Sequence, residues 1–182
     1  MSYKRWVLVA IFLFVIGLVL GLTAPAGITN LLSEDIAAFK ELGGILAPFN
    51  FLTFIFILAK NVSAVLISFV LSPILCLVPI LALTVNGWLI AFVSASIVQE
   101  ESLGFVLAGL LPHGIFELPA LIMGQAAALS FGTMLILALF KRERRKLLLP
   151  SLRQSFKYLA IALALFLPGA IIETYLTPLL LT

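Results

Sequence analysis

The sequence predicts an all-α fold: a polytopic transmembrane helical bundle with about five spans, one of them broken by proline and glycine, plus a short amphipathic helix on the outer surface. Three observations carry this. The chain is 63% hydrophobic and 10% charged, where a soluble domain carries about a quarter charged residues. Its mean hydropathy is +1.27. Its apolar residues are gathered into runs near or above the roughly 20 residues that cross a bilayer. At 182 residues the chain reads as one integral membrane domain, 1–182, with no separate aqueous domain beside the spans.

The first run, residues 6–22, follows Lys4 and Arg5 as a signal peptide would, and Ala24-Pro25-Ala26 offers small residues at a cleavage-like spacing. The run is longer than a typical signal-peptide core, so an uncleaved span is expected. In "TNLLSEDIAAFKELGG", Leu32, Ile36 and Phe39 share one helical face, Ser33 or Asn30 can cap the start, and Gly43-Gly44 ends it. This is the outer amphipathic helix, placed to lie in the interface or to present a face to an extracytoplasmic protein partner.

Residues 47–71 and 74–98 form the second and third spans, separated by Ser72-Pro73, where proline stops the preceding helix. The run 103–140 is too long for one straight span at 1.5 Å per residue, and a break is expected at 112–114, where Pro112 and Gly114 fall. Residues 156–181 supply the last span, with a bend near Pro168-Gly169. The lone cysteine, Cys76, can form no internal disulfide and reads as core filler.

Charge orients the bundle. Of 11 basic residues, nine lie at the N-terminus (Lys4, Arg5) or around "KRERRK" and its exit (Lys141, Arg142, Arg144, Arg145, Lys146, Arg153, Lys157). The positive-inside rule makes both regions cytoplasmic. Five spans put them on one side of a cell membrane, with the N-terminus cytoplasmic and the C-terminus outside. The loops around 25–46 and 99–102 are then outside, and they are acidic: Glu34, Asp35, Glu41, Glu100 and Glu101 against Lys40. The net charge of +3 follows from this bias, so no nucleic acid is implied as a partner. The basic loop suits the anionic headgroups of the lipid bilayer.

Four ionisable residues escape the charge bias and sit in apolar stretches: Lys60, His113, Glu117 and Glu173. Each costs about 2.5 to 3.5 kcal/mol or more at the centre of a lipid-facing helix, so they should face one another or a wet cavity. His113 and Glu117 are four residues apart, on one helical face. Pro112 suits a first helical position, Gly114 permits a close backbone approach, and Pro119 loosens the ladder further along. Depth in the spans suggests that Asn61 and Asn86 join these four in one buried polar site.

The run "PHGIFELPALIMGQAAALSFG", Pro112 to Gly132, resembles the signature stretch of the stage II sporulation protein M family of integral membrane proteins. "FIFILAKN", "PILALTVNG" and "IIETYLTP" fit the same pattern. The resemblance covers the membrane core from about residue 50 onward. It implies a helical membrane fold. For the family's namesake in sporulating bacteria it implies a scaffold that holds two peptidoglycan-degrading enzymes during engulfment.

Residue types argue against an enzyme. One histidine excludes a zinc-protease H-E-x-x-H helix. The sole aspartate, Asp35, lies in the outer loop, so no intramembrane aspartyl pair exists. Ser130 in "ALSFG" lacks a G-x-S-x-G context and reads as a small packing residue beside Gly124 and Gly132. No cofactor motif is present, and the residue types leave a metal open. Two roles remain. In the first, a scaffold or accessory protein, the polar residues fix helix register. In the second, a small transporter or channel, broken helix and carboxylates carry ions or protons. Five spans without repeat symmetry make the second small unless the chain forms a homo-oligomer.

Overall fold

The computed structural model describes residues 3–24 and 48–181. The helices are α1 (Tyr3–Leu22), α2 (Phe51–Leu71), α3 (Leu77–Glu100), α4 (Leu103–Phe140), α5 (Leu148–Ile171) and α6 (Thr177–Leu180). A 3-10 segment, Arg142–Leu147, joins α4 to α5, and a π-turn, Ile172–Leu176, joins α5 to α6. There is no strand among the described residues. Among the described residues, five segments are long and apolar enough to cross a membrane, the last running from Arg142 to Leu180. The expected outer amphipathic helix lies outside the described residues.

Local chemistry sets the helix ends. Asn50 Oδ1 accepts the Leu52 N–H at 2.9 Å and starts α2, and Ser102 Oγ accepts the Phe105 N–H at 3.2 Å and starts α4. These contacts satisfy N–H groups that a helix start leaves bare. Ser72-Pro73 forms the tight connection between α2 and α3, but the turn runs on through Leu75 and Cys76, both left-handed at φ 49° and 56°, so the third span starts at Leu77 rather than residue 74. Near this same end of the bundle the Arg145 Nε–H donates to the Ala138 carbonyl at 3.3 Å, putting a cation on the exposed carbonyls that end α4.

The expected break at 112–114 does not exist. α4 is helical from Leu103 to Phe140, with Pro112 and Pro119 inside it. Each proline removes one N–H, leaving the carbonyls of Ala108 and Ile115 without their helical donors. Such losses are tolerated in a membrane bundle where neighbouring helices hold the segment, and half of α4's most apolar window is buried. Its length, about 57 Å at 1.5 Å per residue, exceeds the roughly 30 Å hydrocarbon core. Tilt and projection beyond that core absorb the excess; length by itself never required a break. The last span also differs. α5 begins at Leu148, ahead of the expected residue 156, and stays helical through Pro168 and Gly169. The irregularity falls at the π-turn beyond them.

Pro178 accounts for part of that turn. Having no N–H, it cannot donate to the carbonyl of Thr174 four residues back. The Phe49 N–H, from the residues leading into α2, supplies the missing donor at 3.2 Å. The Thr177 N–H reaches back to Ile172, five residues away.

α4 is the hub and touches all four other long helices. Gln125, Ala126, Ala127 and Ala128 on it are completely buried, and Ser68 of α2 donates to Gln125 Oε1 at 2.5 Å. The Tyr3 hydroxyl donates to the Met123 carbonyl at 2.7 Å, and its ring stacks on Tyr158, tying α1 to α4 and α5. Cys76 is buried beside Leu129 and Thr133, as filler. On the outside, Leu8, Phe12, Val70 and Ile115 are each about two-thirds exposed, which suits lipid as the solvent. Among lipid tails, helix association rests on close packing and interhelical hydrogen bonds.

Candidate functional site: a polar centre among the spans

His113 and Glu117 lie one turn apart on α4, and Glu173 and Thr177 lie one turn apart at the end of the last span. α4 and α5 run antiparallel around the short 3-10 connection and pack along their lengths. His113 therefore stands level with Thr177, and Glu117 level with Glu173. The Thr177 hydroxyl lies 3.4 Å from His113 Nδ1. One ligand atom from each of His113, Glu117 and Glu173 falls within 4.8 Å of the other two, and all three side chains are half-buried.

A third helix closes the group. Asn61, near the middle of α2, donates its amide N–H to Glu117 Oε1 at 2.7 Å. Gly169 makes the space. A Cβ there would stand 2.6 Å from Glu117 Cγ, so α5 admits the glutamate side chain only because residue 169 has none. The π-turn carries Glu173 itself; such turns recur at functional sites.

Lys60 stands beside Asn61 and is exposed. With Glu173 it supplies the charged lining of a pocket of about 490 Å³ between α3 and the first turns of α4, walled by Leu89, Val93, Phe105 and Gly109. The pocket thus connects the polar centre to the end of the bundle that carries the α3–α4 connection.

Not every expected member belongs. Asn86 turns to its own helix and donates to the Ala82 carbonyl at 2.6 Å. A Cβ on Gly114 would meet only Leu118 of the same helix, at 3.9 Å, so Gly114 makes no close backbone approach. Pro112 and Pro119 flank the His113–Glu117 turn within continuous helix. Sequence reasoning missed Thr177 and Gly169. The i, i+4 spacing of Glu173 and Thr177 mirrors that of His113 and Glu117 and was the available sign for Thr177. Nothing in the sequence marks Gly169 as the cradle for Glu117.

The family model for stage II sporulation protein M matches residues 10–178. The chain belongs to that family. The matched stretch contains Asn61, His113, Glu117, Gly169, Glu173 and Thr177, so the whole polar centre lies within the family's common region. Similar chains include two uncharacterized proteins of Methanocaldococcus jannaschii. One is 24% identical over 173 residues, covering 94% of this chain and 93% of its own. The other is 28% identical over 110 residues, covering 59% of this chain and 50% of its own. No solved structure matches. The long apolar helices and the family together make this a multi-pass integral membrane protein.

Proposed function

We propose that this stage II sporulation protein M family member is a non-enzymatic membrane scaffold or accessory protein, and that its polar centre fixes the arrangement of the spans that a partner protein reads. The observation that carries the reading is the three-way junction: Asn61 of α2 holds Glu117 of α4, while Thr177 of the last span faces His113 of α4. A hydrogen bond made inside the membrane has strict geometry and favours one helix register over its neighbours. The proposal places the N-terminus and the 142–147 segment in the cytoplasm and the C-terminus outside, by the bias of basic residues.

A second reading, ion or proton passage, draws on the pocket that reaches Glu173 and Lys60. The two separate in proteoliposomes under an imposed pH gradient. The scaffold reading expects decay of the gradient no faster than in protein-free vesicles. Faster decay that is lost in both Glu117→Gln and Glu173→Gln would overturn it in favour of passage. Cysteine labelling of a Cys76→Ala protein at Arg144 and Leu181 tests the orientation, which fails if position 144 labels from outside.

A further inference from the structure

We propose that His113, Glu117 and Glu173 bind one divalent transition-metal ion of the zinc and manganese class. Three potential ligand atoms already lie within 4.8 Å of one another. Ligands at about 2.0 to 2.2 Å around zinc stand roughly 3.3 to 3.6 Å apart when tetrahedral, so small side-chain rotations close the site without moving a helix. Both arms are rigid. His113 and Glu117 share one turn of continuous α4, and Glu173 sits in a π-turn whose Thr174 carbonyl is pinned by Phe49.

The surrounding groups do what the outer partners of metal ligands do, which is to orient them. Asn61 engages Glu117 Oε1 and fixes the direction of that carboxylate. The Thr177 hydroxyl stands 3.4 Å from His113 Nδ1, so a ring protonated at Nδ1 donates to it and carries its lone pair on Nε2. The pocket lined by Glu173 and Lys60 is the entry path and leaves a coordination position for water.

Charge favours a divalent ion. Two carboxylates this close among apolar helices repel each other and are costly to desolvate, and a dipositive ion neutralises both. The ligand set selects the metal. Calcium takes six to eight oxygens and magnesium keeps near-octahedral oxygen coordination, whereas one imidazole with two carboxylates and no thiolate suits zinc, manganese or ferrous iron. Lys60, the cation at the pocket, opposes binding and sets an upper limit on affinity.

Full-length protein in detergent, stripped with a chelator, is titrated with Co2+ while its visible absorption is followed, and the bound cobalt is then displaced with Zn2+. We expect one Co2+ per chain with the intense bands of four- or five-coordination, displaced by Zn2+ and unaffected by equimolar Mg2+ or Ca2+. His113→Gln and Glu173→Gln should weaken binding at least roughly tenfold, Lys60→Met should tighten it, and Glu143→Gln, in the exposed basic segment, should leave it unchanged. If His113→Gln fails to fold, as read by circular dichroism, Glu173→Asp keeps the carboxylate but shortens its reach, and should weaken cobalt binding while helicity is retained. Substoichiometric cobalt, equal competition by Mg2+ or Ca2+, or binding indifferent to Glu173 overturns the proposal. The readout is metal occupancy, so the flux experiment can come out either way without deciding it.

Discussion

The seam between α1 and α3 and the junction between α4 and the last span hold this bundle by opposite means. In the first, glycines bring backbones together: a Cβ on Gly17 would collide with the Thr84 carbonyl oxygen, one on Gly21 with that of Trp88, and one on Gly87 with that of Phe14. Gly17 and Gly21 make the small-xxx-small spacing by which membrane helices approach closely, and the gain is van der Waals contact over a long smooth face. In the second, a few polar side chains meet within an apolar contact that runs along both helices, with Gly169 cut away to admit one of them. The first seam tolerates no added atom but has no chemistry to offer. The second can exchange partners with a proton, a water or an ion.

The largest effect that follows is at the glycine seam. Gly87→Leu forces a branched side chain into the α1 backbone, where no flexible atom can yield, and should cost about 3 kcal/mol or more, seen as a large fall in Tm in detergent or as loss of folded protein. An unaltered Tm would mean that α1 and α3 do not meet as described. At the polar junction a smaller and different effect is expected. Asn61→Leu and Glu117→Leu should each destabilise, because each leaves a half-buried polar partner without the bond that joins them. The double substitution should cost less than the two singles together, by up to about 1.7 kcal/mol, the upper range for such bonds in membranes. Strict additivity would show that the Asn61–Glu117 bond does not form.

The two regions also differ in how far the sequence reveals them. The polar junction is half legible, since charged residues in apolar runs are conspicuous and membrane energetics say that they must meet. His113, Glu117, Glu173 and Asn61 are found that way. Asn86 passes the same test and yet bonds to its own backbone, because depth along a span does not tell which way a side chain turns. The glycine seam is legible only as spacing, since glycine carries no polarity to stand out against leucine. Pro112 and Gly114 misled for a related reason. Both disfavour helix in water, but in the bundle the helix is held by its neighbours, and the local preference is overridden.

Gly169→Ala joins the two kinds of contact, because it places a close-packing clash against a side chain of the polar centre. The new methyl meets Glu117 Cγ, the middle of a flexible chain that can rotate away, so the cost should be about 1 kcal/mol, at the low end for overpacking. That cost should vanish in a Glu117→Ala background. If it persists there, residue 169 packs against something other than the glutamate.

The smallest effect expected separates a tolerated proline from one that the fold uses. Pro112 sits inside α4, and helical geometry continues through it. An alanine there has an N–H that can bond to the Ala108 carbonyl, with no change of backbone path. Pro112→Ala should therefore leave stability unchanged or raise it by less than about 1 kcal/mol. Pro178 differs, because the carbonyl it leaves free accepts the Phe49 N–H. Pro178→Ala adds a donor that competes for an occupied acceptor, so it should bring no gain and should loosen the hold on the residues before α2. Hydrogen exchange at Phe49 reads this directly: faster exchange in Pro178→Ala but not in Pro112→Ala is the expected pattern. Should Pro112→Ala instead destabilise, α4 depends on an interruption at 112–114 after all, and the unbroken helix is not the arrangement that the bilayer selects.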